Sequence, residues 1–415
     1  MLLSFRFANH RSFRDEQQLN LSPVYDGDGE SPLDAVPVVG IFGANASGKS
    51  NVISALNYLS NMVGTSDRES EPGVGPRRRP FRLDPAIATL PSHYAVDLMI
   101  NNVHHTYGFS VDDDQILEEW LYTYPFRKKR VVFERAGQGF HWGDESGRSN
   151  VRKLAEIVAP TALFLSVAAR FDPQRTTEGD RDETTAALHD TFTWLWQRVS
   201  RDSHITSART RAMRYSIWLS DPAIRTAVVD LLRAADIGLK DVHAEPSEDL
   251  SRGQVRFLHR GAADDVSFGI GDESSGTLRL LELAAGAVPI LENGGLFLVD
   301  EIDASLHPLL TASLVELFQS PAVNKRRAQL VFTTHDATLL GSIDGDDVLE
   351  RDQVWFTTKG ADGASELFPL AEFKPRRQGE NRQKRYLNGS YGAIPEISMR
   401  VFEQAMTSRT DTDAE

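Results

Sequence analysis

Residues 43–50 have the composition and spacing of a phosphate-binding loop. They read Gly-Ala-Asn-Ala-Ser-Gly-Lys-Ser, which matches the pattern Gly-x4-Gly-Lys-Ser in full. The apolar run 36–42 predicts a buried strand before the loop, and residues 51–56 predict the start of a helix after it. Backbone N–H groups of such a loop can surround phosphates, and the helix dipole favours the same anion. We predict that Lys49 neutralises the β- and γ-phosphates and that Ser50 holds Mg²⁺. The nucleotide-binding residues predicted from this stretch are Gly43, Asn45, Ala46, Ser47, Gly48, Lys49, Ser50 and Asn51.

Two carboxylates follow a second apolar run. Residues 296–299 are Leu-Phe-Leu-Val and are followed directly by Asp300 and Glu301. A buried parallel strand delivers the residues at its carboxyl end to the ligand crevice of an α/β sheet. We therefore predict that Asp300 supports Mg²⁺ and that Glu301 polarises an attacking water. His335 follows another apolar run, 329–334, so we expect it in the same crevice, bonded to a γ-phosphate oxygen or to the water.

A second anion-binding pattern opens an apolar helix. Residues 273–277 are Glu-Ser-Ser-Gly-Thr, and the helix predicted after them covers 278–291. Two hydroxyls and a helix N-terminus suit an anion. The pattern permits an ordinary capped helix or a contact to a nucleotide held by another copy of the chain.

Composition narrows the class of protein. The chain has 415 residues, 40% of them hydrophobic, and no apolar run near the roughly 20 residues of a membrane span. The first residues alternate like a strand and lack a signal-peptide layout, so we expect a cytoplasmic protein without membrane contact. The absence of cysteine excludes disulfides, cysteine-ligated zinc and thiol catalysis. A net charge of −14 argues against bulk coating with nucleic acid, although basic patches at 77–82 and 127–130 leave local contacts open.

The elements that must position these residues indicate an α/β fold. No internal repeat and no heptad run long enough for a coiled coil is present. The patterns predict a hairpin over 1–22 with its turn at 9–13, a loop over 22–37, an exposed polar segment over 64–80, an antiparallel meander over 93–133 with turns at 101–102 and 112–114, a helical region over 175–240, and further α/β structure from residue 295.

The order of these motifs resembles the ABC-type ATPase heads of SMC, RecF and OLD proteins. The resemblance implies an α/β head with a mixed or parallel sheet core, an antiparallel β lobe and a helical signature lobe, in which two heads close around two ATP molecules with Mg²⁺. It implies that Ser275 and Gly276 contact the nucleotide of the other head, that Asp303 and Ser305 form the D-loop, and that His335 is the switch histidine. Asn9, Arg11 and Ser12 occupy the place of Asn-Phe-Arg-Ser-Phe near the nucleotide, with His10 replacing the first phenylalanine.

The same resemblance divides the chain into parts of one discontinuous ATPase domain. The parts are lobe I with the P-loop and the meander at 1–170, a helical lobe ending in the signature helix at 171–290, the catalytic α/β portion with the Walker B strand, D-loop and switch histidine at 291–395, and a tail at 396–415. One departure concerns residues 162–171, where the Q-loop strand is expected. Arg170 stands where such heads have glutamine, and Gln174 is the nearest substitute.

A narrower resemblance rests on segments spread over most of the chain. Residues 235–242, 273–277, 303–308, 328–335 and 384–395 look like the RloA/AbiL-like AAA ATPases of bacterial anti-phage and abortive-infection systems. This implies an ATP-hydrolysing sensor or scaffold that forms a dimer or higher homo-oligomer and controls a neighbour-encoded effector, RloB-like or Toprim-type. DNA or a phage component is a further candidate partner. A RecF-like DNA repair clamp is the alternative, and a transporter ATPase is a third interpretation.

Two remaining patterns concern the end of the chain. Residues 373–391 are rich in lysine and arginine and are predicted to contact a partner or nucleic acid. The carboxylates Asp344, Asp346 and Asp347 cluster on a glycine-containing turn, which we interpret as a solvated loop rather than a metal-nuclease site. We therefore expect the chain to hydrolyse ATP without cutting nucleic acid itself.

Overall fold

The computed structural model describes residues 1–25, 34–69, 73–143, 149–170, 183–201, 215, 217–235, 238–245, 254–343, 345–376 and 380–394. The strands are β1 (Leu2–Ala8), β2 (Gln17–Asn20), β3 (Val38–Gly43), β4 (Ser92–Ile100), β5 (Val103–Val111), β6 (Ile116–Thr123), β7 (Arg130–Ala136), β8 (Gly139–His141), β9 (Val199–Arg201), β10 (Leu239–Glu245), β11 (Gln254–His259), β12 (Val266–Gly269), β13 (Leu296–Val299), β14 (Gln329–Thr333), β15 (Ser342–Ile343), β16 (Asp346–Asp347), β17 (Val354–Lys359) and β18 (Ser365–Pro369). The α-helices are α1 (Lys49–Glu69), α2 (Pro85–Ala88), α3 (Ser149–Ala155), α4 (Phe164–Arg170), α5 (Glu183–Gln197), α6 (Pro222–Ala235), α7 (Ser275–Asn293), α8 (Pro308–Gln319) and α9 (Arg382–Leu387).

A six-stranded sheet with the order β18-β17-β3-β14-β13-β9 forms the centre of the fold. Its strands are parallel except β18, which runs antiparallel to β17. Every residue of β3, β13 and β14 is buried, as expected for parallel strands covered on both faces. Because β3, β14 and β13 are adjacent and parallel, their carboxyl ends lie at one edge of the sheet. That edge carries the P-loop, His335 and Asp300.

A seven-stranded antiparallel sheet with the order β2-β1-β4-β5-β6-β7-β8 forms the second layer. Its inner face packs against α1, α4 and α5 in one hydrophobic cluster that also contains Val39 and Ile41 of β3. The predicted hairpin over 1–22 and the predicted meander are confirmed, and the turn residues Asn101 and Asn102 have positive φ. The helix α1 therefore connects the P-loop to the core between the two sheets.

A third layer combines α6 and α7 with the small antiparallel sheet β10-β11-β12. The helical region predicted for 175–240 contains α5 and α6, but it also contains β9, which joins the central sheet, and the start of β10. Residues 171–182 and 202–214 of that region, like the predicted tail at 396–415, lie outside the described residues. The apolar helix predicted at 278–291 is confirmed as part of α7.

Two sequence predictions need correction, because the exposed segment at 64–80 is confirmed only in part and the strand over 162–171 is wrong. The segment predicted as exposed from residue 64 begins inside α1, where Gly64 is buried against Trp196, and Arg78 is buried with its Nε 2.7 Å from Asp113 Oδ1. The strand expected over 162–171 is instead the helix α4. The physical reason is a buried cap, because the Glu119 carboxylate accepts hydrogen bonds from the N–H groups at the start of α4, Phe164 at 2.6 Å and Leu165 at 2.9 Å.

The C-terminal segment packs against the central sheet. Tyr386 lies 6.1 Å from Phe42 of β3 and stacks on Phe356 of β17, and Arg382 is buried and donates to the Leu349 carbonyl at 2.6 Å. Arg385 pairs with Glu380. Two of the basic residues predicted for partner or nucleic-acid contact are therefore engaged within the chain.

The predicted fold class is confirmed. The structure is an α/β head with a mostly parallel core sheet, an antiparallel β lobe and a helical lobe, and the described residues form no long coiled coil. In the part of the chain that the structure describes, no helix is both long and apolar enough to span a bilayer.

Candidate functional site

The P-loop joins β3 to α1 in a shape that requires glycine. Gly48 has a φ of +113°, and a Cβ there would lie 2.6 Å from Ser365 Oγ. Ser47 Oγ lies 2.6 Å from Thr357 Oγ1, which fixes the middle of the loop to β17. Ala46 also has positive φ, and Asn45 is exposed at the tip. The backbone therefore has the curvature that phosphate cradling requires.

Lys49 is held at the opening of this loop. Its side chain is buried, and Nζ donates to the carbonyls of Gly43 at 2.8 Å and Ala44 at 2.9 Å. Burial lowers the pKa of Lys49 to about 8, while the carboxylates of Glu301, Asp300 and Asp303 act in the opposite direction. The structure thus brings the predicted phosphate-binding lysine close to three predicted carboxylates.

A threonine at the end of β14 organises the first two carboxylates. The Thr333 hydroxyl donates to Asp300 Oδ1 at 2.6 Å and accepts from the Glu301 N–H at 2.8 Å. Glu301 has a φ of +51°, which is a strained backbone conformation for a residue other than glycine. Such strained conformations cluster at functional sites. Sequence reasoning missed Thr333, because a threonine at the end of a strand has no distinctive pattern of its own.

His335 and Asp303 complete this edge of the sheet. His335 Nε2 lies 3.8 Å from Glu301 Oε1, and both side chains are partly exposed. Asp303 Oδ1 accepts from the Thr334 hydroxyl at 2.6 Å and from the His335 N–H at 3.3 Å. The predicted D-loop aspartate therefore fixes the backbone that carries the predicted switch histidine.

Two of the three predicted N-terminal residues reach the first turn of α1. Asn51 Nδ2 donates to Ser12 Oγ at 2.7 Å, and Arg11 Nη1 lies 3.4 Å from Asn51 Oδ1. Ser12 also lies 2.8 Å from Ser365 Oγ, beside Gly48. Arg11, Ser12 and Asn51 thus form one group at the side of the P-loop.

Asn9 does not join this group. Its side chain is buried, donates to the carbonyls of Ile87 at 2.9 Å and Leu90 at 2.7 Å, and accepts from the Phe81 N–H at 2.8 Å. These bonds fasten the segment around α2 to the end of β1. The Asn9 amide bonds backbone groups, and its contact with a nucleotide stays a prediction.

His10 occupies the position of the first phenylalanine in the Asn-Phe-Arg-Ser-Phe pattern and lies in the core. The ring is fully buried, with Nδ1 2.8 Å from the Tyr94 hydroxyl and Nε2 3.1 Å from Ser54 Oγ. Burial and the neighbouring Arg79 lower its pKa to about 4. His10 is therefore a neutral core residue that ties β4 to α1.

The predicted signature segment is a capped helix start that also touches the carboxylate segment. Ser274 Oγ accepts from the Thr277 N–H at 3.0 Å, and Ser275 beside it is exposed. A Cβ on Gly276 would lie 2.9 Å from the Ser305 carbonyl oxygen. Arg279 Nη2 donates to the Asp300 carbonyl at 3.2 Å and to the Glu301 carbonyl at 3.1 Å. The contact of Ser275 and Gly276 with a second copy stays a prediction.

Arg170 lies away from the phosphate site. Its Nε is 2.8 Å from Asp67 Oδ2, and Nη2 donates to the Gly64 carbonyl at 2.5 Å. Gly64 follows Lys49 by fifteen residues of α1, about 22 Å at 1.5 Å per residue. Arg170 is therefore unsuited to sensing the γ-phosphate, and the substitute Gln174 lies outside the described residues.

A cleft of about 840 Å³ runs along α1 from the P-loop, with Ser50 and Asp300 at one end. A hydroxyl and a carboxylate are hard oxygen ligands of the kind that Mg²⁺ takes, usually one or two from the protein with the rest from phosphate and water. Among the described residues, no three His, Asp or Glu side chains are grouped to hold a metal by themselves. The donor set fits Mg²⁺ shared with a nucleotide, with the Gly48 bend and Lys49 as the phosphate cradle.

Comparison with known proteins gives the following matches. Residues 38–341 match the family model described as "AAA domain, putative AbiEii toxin, Type IV TA system". The SMC head domain from Thermotoga maritima is similar in structure, with 13% identity, a TM-score of 0.42, and coverage of 89% of this chain and 98% of that chain. An SMC head bound to the C-terminal winged-helix domain of ScpA has 14% identity, a TM-score of 0.45, and coverage of 90% and 99%.

A third similar structure is an SMC head with an extended coiled coil, bound to the C-terminal domain of ScpA derived from Pyrococcus furiosus. It has 14% identity, a TM-score of 0.42, and coverage of 90% and 97%. No curated protein sequence matches the chain.

Proposed function

We propose that this chain is the ATP-hydrolysing sensor or scaffold of a bacterial anti-phage defence system. The premise is that it belongs to the AbiEii-type AAA domain family of P-loop ATPases. The resemblance to RloA/AbiL-like ATPases supports this finer assignment. A P-loop ATPase binds nucleotide together with a divalent metal, and we take ATP and Mg²⁺ as its ligands.

The convergence of Lys49 with Asp300, Glu301 and His335 carries the ATP-hydrolysing part of the proposal. Lys49 would neutralise the β- and γ-phosphates, and Ser50 and Asp300 would hold Mg²⁺, which supplies further charge neutralisation. Glu301 would accept a proton from the attacking water, and His335, with its Nε2 3.8 Å from Glu301 Oε1, would bond a γ-phosphate oxygen. Hydrolysis by positioning and electrostatics requires no covalent intermediate on the protein.

We further propose that two copies close around two ATP molecules. Ser275 is exposed at the start of α7, and Arg279, one turn later, bonds the carbonyls of Asp300 and Glu301. If Ser275 and Gly276 bind the γ-phosphate of the ATP held by a second copy, that contact would therefore act on the same segment that carries Asp300 and Glu301. This linkage supports coupling between dimer closure and ATP hydrolysis. The effector, RloB-like or Toprim-type, would be encoded by a neighbouring gene.

The variants Lys49→Ala and Glu301→Gln test the proposal, with Glu292→Gln at the exposed end of α7 as the matched control. We expect Glu301→Gln to lower turnover by at least about 100-fold while it keeps ATP binding, because the group that accepts the proton is lost. With ATP it should remain a dimer by light scattering, whereas Lys49→Ala should neither bind ATP nor dimerise.

Phage plating on cells that carry this gene together with the adjacent gene tests the defence role. We expect protection with the wild type and with Glu292→Gln, and loss of protection with Lys49→Ala. Normal turnover in Glu301→Gln would remove that residue from its proposed role. Equal plating of all strains on a broad phage panel would reject the defence role.

A RecF-like DNA clamp is the second candidate, because exposed Arg77 and Arg79 line the cleft that starts at Ser50. This alternative predicts duplex binding that requires ATP and weakens steeply with salt. Duplex affinity that is equal with and without ATP would argue against it.

A further inference from the structure

The outer face of the antiparallel sheet carries a row of aromatic side chains. Trp120, Tyr122 and Tyr124 alternate along β6 and its extension, and all three line a groove of about 960 Å³. The intervening residues Leu121 and Thr123 are buried on the opposite face. Every described residue that lines the groove belongs to the sheet or directly extends one of its strands. The row is therefore a surface feature and not part of the core beneath the sheet.

The rings lie against the sheet in fixed positions. A Cβ on Gly108, which pairs with Trp120 in the neighbouring strand, would lie 2.4 Å from the indole, so the glycine makes room for this ring. The ring of Tyr124 stacks on His104, with centroids 4.6 Å apart and planes at 17°. Flat, preorganised rings that line an open groove are suited to stacking against another planar group.

The row leads to a strained hairpin tip between β6 and β7. Phe126 has a φ of +54° and Arg127 a φ of +62°, two consecutive left-handed residues without glycine. The Phe126 side chain is 98% exposed. Backbone strain and exposure of a large apolar ring both oppose folding, so packing within the chain does not explain this tip.

Cations concentrate at the tip, while the groove carboxylates Asp97 and Glu134 accept hydrogen bonds within the chain. Arg127 and Lys128 are exposed and form no ion pair with any described residue, and Lys129 Nζ lies 3.5 Å above the Tyr122 ring. In the groove, Asp97 accepts from hydroxyl groups of Ser4 and Thr106, and Glu134 accepts from the Tyr122 hydroxyl at 2.7 Å. The exposed charge beside Phe126 is therefore positive, in a chain whose net charge is −14.

We propose that this face binds single-stranded nucleic acid. Unpaired bases stack on Trp120, Tyr124 and Phe126, and backbone phosphates contact Arg127 and Lys128. Aromatic rows beside a few cations suit single strands, because every base presents a π-face, whereas a duplex keeps its bases stacked inside. The inference goes beyond the ATP-driven switch and does not depend on it. The tip lies at the end of the sheet that carries the turn Asn101–Asn102, and the P-loop contacts start from the other end, after Ala8.

Fluorescence anisotropy of a labelled 20-nucleotide single strand, as DNA and as RNA of the same sequence, tests the proposal on the full chain. The matching 20-base-pair duplex is the comparison ligand. We expect single strands to bind more tightly, and Trp120→Ala or Tyr124→Ala to weaken binding by about tenfold or more. Removing both Arg127 and Lys128 should reduce the salt slope of log affinity by about 1.4, since each phosphate contact on a single strand contributes about 0.7.

The matched control for charge is Lys325→Ala with Arg326→Ala, two exposed cations in the turn before β14. This double variant removes the same amount of positive charge at a site distant from the groove. It should leave the affinity for single strands and the salt slope unchanged. Phe126→Gly separates binding from stability. It should weaken binding while the urea midpoint stays equal or rises, because glycine relieves the strain at positive φ.

Lys49→Ala keeps the two proposals distinguishable, since it should abolish ATP binding and leave single-strand binding intact. Unchanged affinity in Trp120→Ala, Tyr124→Ala and Phe126→Gly would overturn the inference, as would preference for the duplex. Binding to phosphatidylserine vesicles without binding to either single strand would also overturn it and identify the tip as a lipid contact.

Discussion

Replacing Thr333 by valine tests whether one buried hydroxyl organises the two carboxylates of the site. Thr333 is fully buried, donates to Asp300 Oδ1 at 2.6 Å and accepts from the Glu301 N–H at 2.8 Å. Valine has nearly the same shape, so the substitution removes two hydrogen bonds without opening a cavity. The effect can therefore be assigned to polar contacts rather than to packing.

The magnitude follows from the two bonds. A hydrogen bond to an ionised carboxylate is worth about 1.5–3 kcal/mol, and a buried N–H left without an acceptor costs about 1–3 kcal/mol. Asp300 is only partly buried, so water replaces part of the first bond. We expect Thr333→Val to lower the free energy of unfolding by about 2–4 kcal/mol. Turnover should fall by about 10- to 100-fold, the usual cost of losing a group that orients the ligands of a metal.

Urea denaturation followed by circular dichroism measures the stability, and phosphate release at saturating Mg²⁺ and ATP measures the turnover. Thr333→Ser is the control, because it keeps the hydroxyl and loses only the methyl group. Equal unfolding free energies and equal turnover in the valine and serine variants would refute the reasoning. Loss of stability with unchanged turnover would show that the hydroxyl supports the fold alone.

Three further predictions concern other parts of the fold. Gly48→Ala should abolish nucleotide binding by calorimetry, since its Cβ would meet Ser365 Oγ at 2.6 Å, and retained binding would contradict the loop geometry. Burial lowers the pKa of His10 and of His105 to about 4 each, so the unfolded chain takes up protons first as pH falls below 6.5. The free energy of unfolding should then drop by about 1.4 kcal/mol per pH unit for each histidine down to pH 4, and a slope unchanged in His105→Gln would oppose this. Tyr391→Ala should cost about 3–5 kcal/mol in urea unfolding, as for other buried aromatic rings, and a loss below about 1 kcal/mol would argue against its packing role.

The parts of the fold that could be predicted are those with a local signal. Continuous apolar runs identified β3, β13 and β14, and alternation with turn residues identified the meander. The helix α4 could not be found this way, because its N-terminus is capped by Glu119, which lies 45 residues earlier than Phe164 in the chain. The length of α1 was underestimated for a similar reason, since Gly64 is helical where it receives the Trp196 ring.

The residues of the candidate site also differ in whether a local sequence signal could predict their positions. The loop containing Lys49 and the strand end with Asp300 carry their chemistry in adjacent residues, so the sequence predicted where both would lie. Asn9 was assigned to the nucleotide from its place in a motif, but its partners are carbonyls of a segment nearly 80 residues away. Thr333 was missed because a threonine at a strand end has no distinctive pattern until the neighbouring strand places Asp300 beside it.

The phosphate-binding loop also depends on chain beyond the matched family region, which ends at residue 341. Thr357 of β17 bonds Ser47 in the loop, and the neighbouring Phe356 receives the rings of Tyr386 and Tyr391, with centroids 5.7 Å and 5.0 Å away. Tyr386 also packs against the last aromatic residue of β3 before the loop. Because β17 pairs with β3 along its length, the C-terminal aromatic rings support the strand that delivers the loop. The nucleotide site is therefore built from both the N-terminal and the C-terminal parts of the described chain, and any change that displaces residues 380–394 should reach the P-loop through β17.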